Sequence, residues 1–121
     1  MPTILVVDDD VDVADVLRLG LEQHGFAVVV THDGTSALDL MAAQRFALVI
    51  LDVRMPGLNG FAVLQGMRAR NARPRILVLS GDGSAAEQQR ARVAGADSYH
   101  LKPFRVLEVV QQVQSLLHLA C

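Results

Sequence analysis

Four apolar runs in this chain each lead into a side chain that can do chemistry. Ile4-Leu5-Val6-Val7 runs into Asp8-Asp9-Asp10, Ala47-Leu48-Val49-Ile50-Leu51 into Asp52, Ile76-Leu77-Val78-Leu79 into Ser80, and Ser98-Tyr99-His100-Leu101 into Lys102. Asp52 is followed at once by Val53-Arg54-Met55-Pro56-Gly57, which cannot continue a strand, so its carboxylate stands at a strand mouth, held rigidly and still solvated. Brought together, Asp8, Asp9 and Asp52 repel one another, and at neutral pH protons or a cation must compensate. Hard oxygen donors without a Cys or His cluster select Mg²⁺ over Zn²⁺, with Mn²⁺ as a substitute, and Mg²⁺ characteristically adds waters and a phosphate oxygen to one or two carboxylates. The expected further ligand is a phosphate. Lys102, the only lysine beside ten arginines, supplies the complementary charge. Its compact ammonium reaches a carboxylate or phosphoryl oxygen in a tight pocket where a planar guanidinium would be too bulky. Pro103 fixes the turn after it.

These groups meet only if parallel strands carry them to one edge. Ile4–Val7, Ala27–Val30, Leu48–Leu51 and Ile76–Leu79 read as buried parallel strands, and Ser98–Leu101 as a weaker fifth. Helical patterns lie between them, with Val13, Val16, Leu17 and Leu21 on the core face of the first, Leu38 and Met41 on the second, and Phe61, Leu64 and Met67 on the third. Gly25 closes the first helix, Asp33-Gly34 precedes the second, and Ser84 caps the fourth. The last helix, from about 104 to 119, is apolar at Leu107, Val110, Val113 and Leu117. Strand and helix alternate with short connections, which predicts an α/β fold: a five-stranded parallel sheet, doubly wound, with helices on both faces. Such a sheet has its crevice outside the carboxyl ends of its strands, where the four groups converge.

Composition agrees with one ordinary domain. The 121 residues are 51% hydrophobic, and 11 basic against 13 acidic residues give a net charge of −2, so neither nucleic acid nor a membrane surface is expected as the primary partner. The sole cysteine, Cys121, permits no internal disulfide, and the first apolar run is too short and lacks the basic flank of a signal peptide. A cytoplasmic location is expected, with residues 1–121 as a single domain that carries no output domain.

Val7-Asp8-Asp9-Asp10, Leu51-Asp52-Val53-Arg54-Met55-Pro56-Gly57, Leu79-Ser80-Gly81, and Gly95-Ala96-Asp97 through Tyr99 to Lys102-Pro103-Phe104 together resemble the response-regulator receiver domain, in order and over essentially the whole chain. The resemblance implies a flavodoxin-like sheet of order 2-1-3-4-5. It implies that Asp52 is the phosphoacceptor, taking its phosphoryl group from a sensor histidine kinase, a histidine phosphotransfer protein or a small acyl phosphate. Asp9 would bind Mg²⁺ directly, Asp8 largely through water, and Asp52 and the Arg54 backbone carbonyl would complete the protein's ligands. Ser80 and Lys102 would receive phosphoryl oxygens, and Gly81 would leave the approach open. Tyr99 would turn inward as Ser80 moves, which makes Ser80 and Tyr99 the switch. The fourth helix, fifth strand and fifth helix would form the output surface for a protein target or output domain, with Arg90, Arg92, Arg105 and Glu108 as contacts. The chain would be a monomer or a weak phosphorylation-dependent homodimer. Arg54 and Asp82, two residues after the acceptor and the hydroxyl, would tune phosphoryl lifetime by pairing across the pocket mouth.

Plainer roles suffice for some of these residues. Asp10 reads as a solvated helix start. Arg68, Arg70, Arg73 and Arg75 read as a solvated rim, His24 and His100 as structural or exposed, and Met55-Pro56-Gly57 and Asn59-Gly60 as turn chemistry. A Mg²⁺-dependent phosphohydrolase would want a second acid where Arg54 stands, which argues against an enzyme. A nucleotide-binding protein would show a Gly-rich phosphate loop after the first strand, and none is there. A phosphate-independent binding module normally loses part of the acid, hydroxyl and lysine set, which is intact; a phosphorelay shuttle is the other alternative.

Overall fold

The structure, a computed structural model, describes residues 2–55, 57, 59–69 and 74–118. Ten elements alternate along the chain: β1 (Thr3–Val7), α1 (Val11–Gln23), β2 (Ala27–Thr31), α2 (Gly34–Ala43), β3 (Leu48–Asp52), α3 (Gly60–Ala69), β4 (Arg75–Ser80), α4 (Ala85–Ala94), β5 (Ser98–Leu101) and α5 (Val106–His118). All strand pairs are parallel and the order is β2-β1-β3-β4-β5.

The apolar runs form strands because both of their faces are covered. Ile4, Val6, Leu48, Ile50, Leu77 and Leu79 pack under α1 and α5 with Leu17, Leu21, Val109, Val110 and Val113. The alternate residues Leu5, Val7, Val49, Leu51 and Val78 face Ala37, Phe61, Leu64 and Met67 of α2 and α3, with Ala91 of α4. Period-two alternation with no polar face is the signature of a sheet sandwiched between helices. β2 departs from the expectation of full burial: Ala27 to Val30 are only half covered, because β2 is an edge strand with a neighbour on one side.

Helix boundaries follow their caps. Asp10 accepts from the amides of Asp12 and Val13, Asp33 from Ser36, and Ser84 from Glu87. Two predicted core residues lie elsewhere. Val16 is 47% exposed, because the buried strip of α1 runs through Ala14, Leu17 and Leu21. Leu107 is 56% exposed, since α5 starts at Val106 and turns Val109 and Val110 inward. Asn59 caps α3 by accepting from the Ala62 amide, so Gly60 opens a helix and is not a turn residue. A Cβ at Gly60 would strike the Val53 backbone and lie 2.7 Å from the Asp52 carbonyl oxygen, so only glycine lets α3 start this close to the end of β3. Pro56, Arg70, Arg73, Leu119 and Cys121, like the Arg68 side chain, lie outside the described residues.

Candidate functional site

Register brings the predicted groups together. Val7 pairs with Leu51, so Asp8, one residue on, is level with Asp52 at the end of β3; Asp52 pairs with Leu79, which sets Ser80 one step further out on β4. Ser80 pairs with Leu101, and the Lys102 amide donates to the Ser80 carbonyl at 2.8 Å. The peptide bond from Lys102 to Pro103 is cis.

Asp8 and Asp52 are both buried, so Asp52 is not the solvated carboxylate expected at a strand mouth, and Lys102 lies between them. Its Nζ donates to Asp8 Oδ2 at 2.9 Å and to Asp52 Oδ2 at 3.2 Å. The other carboxylate oxygens each take one amide, Asp10 N on Asp8 Oδ1 and Arg54 N on Asp52 Oδ1, both at 2.9 Å. The second bond draws the Arg54 main chain beside the acid. Asp9 stands exposed, with a carboxylate oxygen in the same group: one oxygen each from Asp8, Asp9 and Asp52 lie within 4.8 Å of one another. Three oxygens this close, with no sulfur or imidazole in the group, suit a hard divalent cation.

The charge balance is visible in the acidities. Burial pushes Asp52 up to about 6; the Arg54 amide and the Lys102 ammonium oppose this, and Asp8 adds repulsion. Burial alone would lower Lys102, yet its hydrogen bond to Asp8 and the charges of Asp52 and Asp8 leave it raised.

Beside this pocket lies a second polar cluster. Ser80 Oγ donates to Glu87 Oε2 at 3.1 Å and accepts from the Asp82 amide at 3.1 Å. The Tyr99 hydroxyl reaches the Asp82 carbonyl at 2.7 Å and the same Glu87 Oε2 at 3.0 Å. Burial, reinforced by Glu87 and Asp82, raises the Tyr99 pKa despite the Ser80 hydroxyl nearby. Arg54 Nη2 sits 2.8 Å from Asp82 Oδ2 and 3.3 Å from Glu87 Oε1, so the predicted Arg54 to Asp82 pair forms and extends to Glu87. A Cβ at Gly81 would meet nothing within 4 Å, which leaves the approach beside Ser80 open.

Every predicted site side chain thus lies at one sheet edge, in the two clusters. This architecture has clear relatives. Residues 4–114 match the family model described as "Response regulator receiver domain". The chain belongs to that family. This receiver domain is 41% identical over 114 residues, 94% of its length, to "Response regulator MprA" of Mycobacterium avium, of which it covers 50%. It spans about half the length of such curated relatives. Among solved structures, the receiver domain of the Francisella response regulator 1452 superposes with a TM-score of 0.94 at 29% identity, with both chains covered completely. The Thermotoga maritima response regulator TrrA, solved in complex with Mg²⁺-BeF, superposes at 0.85 with 30% identity, over 96% of this chain and 99% of that one. No helix among the described residues of the receiver domain is long and apolar enough to cross a membrane.

The sequence reading passes over two participants. His32 Nδ1 lies 2.9 Å from the Asp8 carbonyl, tying the end of β2 to the pocket. Glu87 is the larger omission. The signal for it exists, because Ser84-Ala85-Ala86-Glu87 has the spacing of a capping box, in which the glutamate turns back to the cap amide. Here Asp82 Oδ1 takes the Ser84 amide at 2.7 Å, and the Glu87 carboxylate turns inward to Ser80 and Tyr99. Of the histidines expected to be structural or exposed, His24 is exposed and bonds the Gly20 carbonyl, and the half-buried His100 bonds the Gln112 side chain. Arg75, from the predicted rim, pairs with Asp97 at 3.5 Å.

Proposed function

We propose that this receiver domain is a phosphorylation-dependent signalling switch in which Asp52 accepts the phosphoryl group. The observation that carries the reading is that two buried carboxylates, Asp8 and Asp52, share one ammonium. That arrangement leaves a surplus of negative charge at a strand mouth, where Asp52 also takes the Arg54 amide. An Asp52 oxygen attacks the phosphorus of a phosphohistidine on a sensor histidine kinase or phosphotransfer protein. The new O–P bond forms as the N–P bond breaks, the ring nitrogen keeps the electron pair, and a proton on the ring lets it leave as neutral imidazole. A small acyl phosphate serves as donor in the same way, its carboxylate leaving with the pair.

Asp8, Asp9 and Asp52, with the Arg54 carbonyl, would hold Mg²⁺ or Mn²⁺, which when bound screens the charge of the incoming phosphoryl group. TrrA, solved with Mg²⁺-BeF, supports this assignment. Lys102 keeps Asp52 ionised for attack and then pairs with a phosphoryl oxygen. Ser80 donates to another, and Tyr99 carries the change to the surface of α4, β5 and α5, where Arg90, Arg92, Arg105 and Glu108 are exposed to a downstream protein target or output domain. The phosphoryl group shifts this equilibrium only by contacts it makes in the active state.

The test is incubation with acetyl phosphate and Mg²⁺ followed by intact mass. A phosphate-sized gain on wild type, absent from Asp52→Asn, is expected. No gain on wild type defeats the reading, and a gain that survives in the variant moves the acceptor elsewhere.

A further inference from the structure

We propose that Glu87 is a positioning residue that competes with the phosphoryl group for the Ser80 hydroxyl and links that competition to Tyr99, an inference that rests on the phosphoryl reading of Asp52. Hydroxyl protons are the limiting quantity. Ser80 has one, and it is committed to Glu87 Oε2 at 3.1 Å. A phosphoryl oxygen on Asp52 can receive it only if Glu87 gives it up, because a hydroxyl has one proton to donate. Tyr99 also has one proton, shared between the Asp82 carbonyl and that same Oε2. When Ser80 leaves, Tyr99 becomes the remaining hydroxyl donor to this oxygen. One oxygen atom thereby joins the input residue to the output residue.

Two further contacts show that this carboxylate is held for the task. Asp82 occupies the Ser84 amide, which releases Glu87 from the helix cap its spacing would otherwise give it. Arg54, whose own amide bonds Asp52, reaches Glu87 Oε1 at 3.3 Å and so holds the second oxygen of a side chain that is only 9% exposed. Glu87 therefore ties α4 to the end of β4 and to Tyr99 of β5 through side chains alone.

Tyr99 is the only tyrosine and the chain has no tryptophan, so intrinsic fluorescence reports this one phenol. A carboxylate hydrogen-bonded to an excited phenol quenches it by accepting its proton. Unliganded Glu87→Gln should therefore fluoresce more brightly than wild type, with no phosphoryl chemistry involved. Beryllofluoride with Mg²⁺, titrated against the same signal and against backbone amide shifts, measures the competition. Removing a charged acceptor from Ser80 should lower the half-saturating concentration by about tenfold. In a Ser80→Ala background the same Glu87→Gln change should shift it by less than about twofold, since the contest is for that hydroxyl. A purely structural Glu87 would weaken binding or leave it alone. Half-saturation in Glu87→Gln equal to or above wild type overturns the proposal, as does an undiminished gain without Ser80. A wild type that shows no Asp52-dependent response to beryllofluoride defeats the phosphoryl reading and this inference together, whereas a responsive wild type matched by Glu87→Gln defeats the inference alone.

Discussion

Two polar clusters flank the end of β4, and they balance their charges in opposite ways. In the first, Asp8 and Asp52 divide a single Lys102 ammonium, and Asp52 is pushed up to about 6 by burial. In the second, Ser80, Tyr99, Glu87, Arg54 and Asp82 satisfy one another, and among the described residues no buried side-chain polar atom lacks a partner. The first cluster is under-compensated and gains from an arriving cation. The second is complete, so any rearrangement must first break a bond. A switch needs both: one site that favours the incoming group and a neighbour that resists until the group is in place.

The sharpest way to break the contrast is to remove the shared cation. Lys102→Met leaves two buried carboxylates facing each other and should cost about 3 kcal/mol at pH 7.5, read by urea unfolding. The loss should shrink toward pH 5, where Asp52 takes up a proton. Lys102 itself has the opposite signature: its raised pKa means that its contribution is present below its ordinary value of 10.5 and is lost as pH climbs through the raised one. A loss that is unchanged between pH 7.5 and pH 5 would mean that the acids do not feel the ammonium.

Removing one of the two acids should do the reverse. The folded-state pKa of Asp52 stands above the unfolded value of 3.8, so between about pH 4 and pH 6 the folded chain holds the extra proton and stability falls as pH rises through that window. Above it the penalty is fully present. Asp52→Asn should therefore stabilise the protein by about 2 kcal/mol at pH 7.5, with the gain vanishing toward pH 4. Mg²⁺ should raise the midpoint of wild type more than that of the variant, since the variant has lost a ligand. A destabilised Asp52→Asn would show that the pocket is not short of positive charge.

The under-compensated cluster was legible in the sequence and the satisfied one was legible only in part. Asp8, Asp52 and Lys102 each stand at the end of a strand, as does Ser80 of the second cluster, and parallel strands in one sheet must bring such ends together. Buried β1, β3 and β4 show as unbroken Val, Ile and Leu. Edge strands and helix faces are less determinate. β2 has the same composition with one side uncovered, and Val16 and Leu107 lie one or two residues from the strips that turn inward. Spacing singles out Glu87 but for the wrong task, because its local pattern specifies a helix cap. Its actual partners, Ser80 and Tyr99, are 7 and 12 residues away and are chosen by the tertiary structure and by Asp82 having taken the cap amide.

The smallest expected effect tests where the two clusters meet. Arg54 and Asp82 are linked at 2.8 Å, but their side chains are 62% and 32% exposed, so Arg54→Ala should change stability by no more than about 0.5 kcal/mol. Its consequence belongs to kinetics. We propose that the pair screens a phosphoryl group on Asp52 from water, so that opening it should speed hydrolysis by about threefold, a fraction of a kcal/mol in the barrier. Intact mass followed over time after acetyl phosphate is removed reads the rate. Because Arg54 also touches Glu87, Asp82→Asn is the cleaner variant: it removes the charge on the far side and leaves an oxygen for the Ser84 amide. It should match Arg54→Ala, and the double variant should add nothing. Salt separates the clusters once more, since an exposed pair is screened while a buried one is not. Raising ionic strength should bring wild-type hydrolysis up to the variant rate and leave the Asp52→Asn stability gain in place. Identical lifetimes in wild type, both single variants and the double variant at low salt would show that the pair does not act on water.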